Sequence, residues 1–129
     1  GDAYNLNFIQ EKFSSQGIKF DVIIDDGPHT LESMIFAAEH YSKLLTDTGI
    51  LIIEDVASID WAAPIFNKFP AQTGKIASLI DLRSVKNRYD DIMIVFSANN
   101  YSNLSARSPL ISVNKPAIKS KRSIVKIRR

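Results

Sequence analysis

Apolar side chains recur along this chain with two different periods. Leu6, Phe8, Ile9 and Phe13 step around one face behind Asn5, and Gly17 follows, which predicts a helix capped by Asn5 and ended by the glycine. FDVIID (20–25) is a short run rich in β-branched residues and reads as a strand buried on both faces. Thr30 then caps a second helix, along which Leu31, Met34, Ile35, Ala38, Tyr41 and Leu45 recur at three- and four-residue steps as one apolar stripe. Asp47, Thr48 and Gly49 make a turn, and ILIIE (50–54) is another buried strand. WAAPIFNKF (61–69) reads as a short helix with Pro64 in its first turn. KIASLIDL (75–82) and DIMIVFS (91–97) alternate as strands, and the polar RSVKNRYD between them makes a hairpin.

Strands joined by helix-length connections place the chain in the α/β class. The expected sheet is mainly parallel, with right-handed crossovers, and is closed by an antiparallel hairpin. From residue 98 the pattern dissolves into Asn, Ser, Lys and Arg, so the organisation expected is a folded part, 1–97, and a basic, flexible tail, 98–129. Charge divides at the same place. Residues 1–97 carry 14 acidic against 8 basic side chains, whereas residues 98–129 carry 8 basic and no acidic ones. The formal net charge of +2 therefore describes neither part.

The 129 residues suit one domain with a real core. With no cysteine, a disulfide framework and a thiolate metal site are both excluded, and a reducing compartment such as the cytoplasm is expected. No apolar run approaches membrane-spanning length. The chain starts at GDAYN without an initiator methionine, which reads as a processed chain or a piece of a longer protein.

Candidate chemistry gathers at the strand ends. Asp25–Asp26 and Glu54–Asp55 follow two consecutive parallel strands, and ligands of open parallel sheets bind beyond such carboxyl ends. Carboxylates this close repel unless a cation compensates them, and a hard divalent ion does so with oxygen ligands. Asp26, Glu54 and Asp55 are thus candidate metal ligands. Either pair alone reads better as a turn or as solvated loop acids; together, at equivalent strand ends, they read equally well as an ion site. His29 stands where the second helix begins. The positive pole there disfavours an imidazolium, so His29 reads either as a proton acceptor or as a capping histidine. His40, inside a helix with no acidic partner set by the pattern, carries no such reading.

FDVIIDDGPHTLESMIFAAEHYSKLLTDTGILIIEDV resembles the DDGSH…IEDV segment of class I S-adenosylmethionine-dependent methyltransferases, and most closely the macrocin and mycinamicin sugar O-methyltransferases. GDAYNLNFIQ is similar to the stretch that precedes that segment in the family, and DLRSVKNRYDDIMIVF to the closing hairpin. The resemblance spans about residues 1–97 and implies the carboxy-terminal half of a Rossmann-like methyltransferase domain. It implies Mg²⁺ (or Mn²⁺) on Asp26, Glu54 and Asp55, and His29 as the general base for a substrate hydroxyl. S-adenosylmethionine would lie against Asp2 and Ala3, with Asp25 on the cofactor side. The acceptor implied is a small-molecule hydroxyl, by analogy that of a sugar. Pro28 and Asn5 depart from the family's serine and aspartate, and no GxGxG occurs in the sequence. The strand at 20–25 would pair in the family with the first strand of the other half-domain. Left bare it is a sticky edge, so self-association or an upstream half-domain is expected.

Other readings fit less well. A receiver-type phosphoryl-transfer domain needs a lysine at a later strand end, and a dehalogenase-type phosphatase needs Asp-x-Asp; neither pattern occurs. The runner-up is an inactive methyltransferase-like binding module whose basic tail contacts nucleic acid or an acidic partner. That tail has a single aromatic residue, Tyr101, and so no stacking platform for single strands. Trp61 and Phe66 read either as acceptor-pocket lining or as core.

Overall fold

The computed structural model describes residues 2–100 and 123–128. Helix α1 (Leu6–Lys12) begins at Asn5, whose side chain accepts from the Asn7 N–H, and Gly17 closes the following short 3₁₀ turn at φ 66°. Strand β1 (Phe20–Asp26) leads to α2 (Leu31–His40), which opens on a reciprocal cap between Thr30 and Ser33. The apolar stripe continues past α2 by tightening into a 3₁₀ turn over Tyr41–Leu44. Strand β2 (Leu45–Ile53), α3 (Ala62–Phe66), β3 (Ile76–Asp81), a one-turn α4 (Arg83–Lys86) and β4 (Ile92–Ser97) follow.

The 47–49 turn lies inside β2 as an irregularity. While β1 advances from Phe20 to Val22, β2 advances from Leu45 to Ile50. Gly49 is required there, because a β-carbon would stand 2.8 Å from the Phe20 carbonyl oxygen.

The five strands form one sheet in the order β3-β4-β2-β1-β5. It is mixed rather than mainly parallel. β1 pairs in parallel with β2 and with β5, whereas β4 pairs antiparallel with β2 and with β3. The β3–β4 hairpin is as expected. The fifth strand was not: β5 (Ile124–Arg128) comes from the stretch expected to be a flexible tail and lies along the edge of β1 expected to be bare. Asp21 holds its start, accepting from the Ser123 N–H and from the Thr46 hydroxyl, each at 2.9 Å. The remainder of the tail, 101–122 and 129, lies outside the described residues.

Nor is β1 buried equally on its two faces. The pleat sends Ile23, Leu51, Ile53, Ile94, Phe96 and Ile127 to one side, where they pack with Met34, Ala37 and Ala38 of α2 and Ile65 of α3. Val22, Ile24, Ile50 and Ile52, on the other side, are half-buried. Phe66 packs against the core, as does Trp61, and Phe69 stacks on Phe96 with ring centres 4.3 Å apart. No helix among the described residues is long and apolar enough to cross a membrane.

Candidate functional site

The adjacent acids of β1 meet different fates because side chains alternate across a strand. Asp25 points to the packed side, between Ile53 of β2 and Ile127 of β5 in register, and is 2% exposed. There the Tyr4 hydroxyl donates to Asp25 Oδ1 in a short hydrogen bond. Burial dominates and pushes the Asp25 carboxyl up to about 6, while bonds from Tyr4 and the Gly27 N–H partly offset it. Burial, with the carboxylate beside it, raises the Tyr4 phenol as well. Gly27 is bare because Tyr4 lies over it, and a β-carbon would overlap the phenol.

The amino-terminal segment is thereby fixed above the end of β1. Asp2 accepts from the Tyr4 N–H at 2.9 Å, and the Ala3 carbonyl accepts from the Tyr41 hydroxyl at 2.7 Å. Burial pushes the Tyr41 phenol up to about 12.

Asp26 points to the other side, in the crevice beyond the strand ends. His29 Nε2 lies 3.2 Å from Asp26 Oδ1 and 3.6 Å from Asp55 Oδ2. One ligand atom from each of Asp26, His29 and Asp55 falls within a 4.8 Å group. The backbone makes this possible: His29 and Asp55 have φ of 56° and 53°, left-handed conformations that a non-glycine residue adopts at a cost of about 1–2 kcal/mol. The third non-glycine residue with such a φ among those described, Asn87, follows α4. His29 and Asp55 sit by the acidic strand ends, where the conformation turns their side chains into a common space.

Glu54 stands apart from that trio and faces Lys126 of β5. The Lys126 ammonium lies 3.1 Å from Asp26 Oδ2 and 3.8 Å from Glu54 Oε2. Lys126, with His29 adding to its effect, holds the Asp26 carboxyl below the ordinary carboxylate range. The structure thus brings Asp26, His29 and Asp55 together, places Glu54 beside them with a lysine between, and puts Asp25 in the core.

Tyr4 and Lys126 were missed by sequence reasoning. Tyr4 meets Asp25 across 21 residues and Lys126 meets Asp26 across 126 − 26 = 100, with no local spacing to mark either contact. The Tyr4 hydroxyl had one weak signal, a tyrosine beside the Asp2–Ala3 motif. Lys126 had none.

No family model matches this sequence, and no curated protein does. Among solved structures, the chain is similar to a crystal structure of the M1.HpyAVI–SAM complex, at 18% identity and a TM-score of 0.46 over 92% of this chain. It is also similar to a crystal structure of M1.HpyAVI, at 19% identity and a TM-score of 0.44 over 81% of this chain. The matches span 62% and 56% of those two chains.

Proposed function

We propose that this chain is part of an S-adenosylmethionine-dependent methyltransferase. Within that class we assign it to the divalent-metal-assisted O-methyltransferases, acting on a hydroxyl of a small molecule or sugar. The observation that carries this reading is the meeting of Asp26, His29 and Asp55 within 4.8 Å beyond the ends of two neighbouring parallel strands. Those residues belong to the DDGPH and ED motifs on which the family resemblance rests.

The donors suit Mg²⁺ or Mn²⁺: the hard carboxylate oxygens of Asp26 and Asp55, with Glu54 close by. Such an ion, held by Asp26 and Asp55, would lower the pKa of an acceptor hydroxyl and favour its attack on the methyl group. The chain's own residues supply the proton transfer. His29, donating from Nε2–H to Asp26 at 3.2 Å, keeps the Nδ1 lone pair for the hydroxyl proton. Its ring is 39% exposed and so reachable from the crevice. Asp55, 3.6 Å from the same nitrogen, steadies the imidazolium that results.

Lys126 favours a second reading. Its ammonium already compensates Asp26 and Glu54, as a methyltransferase-like scaffold without catalytic metal would require. One experiment separates the two: tritiated-methyl transfer from S-adenosylmethionine to a panel of glycosides and phenols with Mg²⁺. Controls are EDTA, Asp26→Asn and His29→Ala. Transfer abolished by all three supports the enzyme. Transfer indifferent to EDTA refutes the metal, and absence of both transfer and saturable S-adenosylmethionine binding refutes the methyltransferase.

A further inference from the structure

Two more acids reach the same sheet edge through the β3–β4 hairpin. Because β4 runs antiparallel to β2, the residues before β4 lie beside the residues after β2, and the Val56 N–H donates to the Ile92 carbonyl at 3.0 Å. Asp90 and Asp91 therefore meet Asp55, with one carboxylate oxygen of each inside a 4.8 Å group.

Acids at a surface edge often mean nothing, but Asp91 is not at the surface. It is 7% exposed, and its Oδ2 is buried with no hydrogen-bond partner among the described residues. Its main chain is fully engaged: the N–H donates to the Arg88 carbonyl at 3.3 Å, and the carbonyl accepts from the Leu82 N–H at 2.8 Å. A buried carboxylate oxygen left without a partner is strongly unfavourable, so the site is built for something that supplies positive charge.

The neighbouring side-chain cations do not supply it. Arg88 pairs with Asp90 at 3.3 Å and is largely exposed. A cavity of about 130 Å³ opens among Glu54, Asp55, Lys86, Arg88, Asp90 and Asp91, four carboxylates against two cations. One water needs on the order of 10–15 Å³ of such space, so an ion with several of its waters fits.

We propose that Asp55, Asp90 and Asp91 form a second divalent-cation site, separate from the Asp26–His29–Asp55 group and sharing Asp55 with it. Three oxygen donors without nitrogen or sulfur select a hard ion of the Mg²⁺, Mn²⁺ or Ca²⁺ kind. The ion would tie the hairpin to the end of β2 and neutralise the buried Asp91 carboxylate. The proposal does not depend on methyl transfer.

The test counts bound Mn²⁺ by electron paramagnetic resonance on the full chain and on Asp26→Asn, Asp90→Asn and Asp91→Asn, with circular dichroism to verify folding. Two ions per chain are expected. Asp91→Asn and Asp90→Asn should each weaken one of them tenfold or more and leave the other. Asp26→Asn should spare the ion that those two variants lose. If Asp91→Asn does not fold, Asp90→Asn decides, since Asp90 stands at the rim. The proposal is overturned if neither hairpin variant changes binding, if no Mn²⁺ binds, or if a single ion is lost equally to Asp26→Asn and Asp91→Asn. Loss of the Asp26 ion alone from the parent pattern would instead count against the metal-assisted enzyme and leave this site standing.

Discussion

Replacing Asp25 with Asn should change how stability depends on pH, and the sign follows from burial. In the folded chain the Asp25 carboxyl is raised from 3.8 to about 6, chiefly by desolvation. A carboxyl raised on folding contributes most below its unfolded value, where both states hold the proton. That contribution is lost as pH rises through the folded value, because the unfolded chain ionises first. The shift of about two pH units corresponds to roughly 3 kcal/mol, developing between about pH 4 and pH 6. Asn is nearly isosteric, keeps an oxygen to accept from Tyr4, and does not ionise. The stability of Asp25→Asn minus that of the parent should therefore become more favourable to the variant by about 3 kcal/mol from pH 4 to pH 7. Urea unfolding at half-unit pH intervals measures it, and the other titrating groups cancel in the difference. Tyr4→Phe is the companion variant. It removes a bond that lowers the Asp25 value, so its midpoint should move upward. A stability difference that stays flat across this range would refute the reasoning, since Asp25 would then be no more desolvated than a surface acid.

Three further outcomes are expected. Lys126→Met removes a cation that competes with divalent ions for Asp26, and calorimetry should show Mn²⁺ bound up to about fivefold more tightly, the equivalent of ~1 kcal/mol for a partly exposed pair; unchanged or weaker binding argues against an ion at Asp26. Deleting 123–129 uncovers the β1 edge and removes the buried Ile127, so sedimentation velocity should show self-association that the parent at equal concentration does not. Gly27→Ala forces Tyr4 away from Asp25 and should cost about 1–3 kcal/mol in urea unfolding. In the Tyr4→Ala background that cost should shrink, and full additivity of the two changes would show that they do not share a contact.

Much of the local structure was legible because its causes are local. Asn5 and Thr30 cap the helices they were expected to cap, and the hairpin strands fall within a residue of their expected bounds. The tail failed for the opposite reason. IVKIR has too short an apolar pattern to mark a strand, and it becomes one only against β1, more than ninety residues away in sequence. The 47–49 turn residues do bend the chain, but the bend is absorbed within β2 because the strand register allows extra residues there.

The candidate site divides in the same way. The sequence by itself determined that acids and a histidine stand at two strand ends, since residue type and strand period are properties of short segments. It could not decide which acid goes where. The pleat buries Asp25 under Tyr4 and leaves Asp26 in the crevice with His29 and Asp55. The antiparallel placement of β4 carries Asp90 and Asp91 to Asp55, and the parallel placement of β5 carries Lys126 to Asp26 and Glu54. Strand order decides such meetings. It is fixed by the packing of the whole sheet, where no local spacing records it.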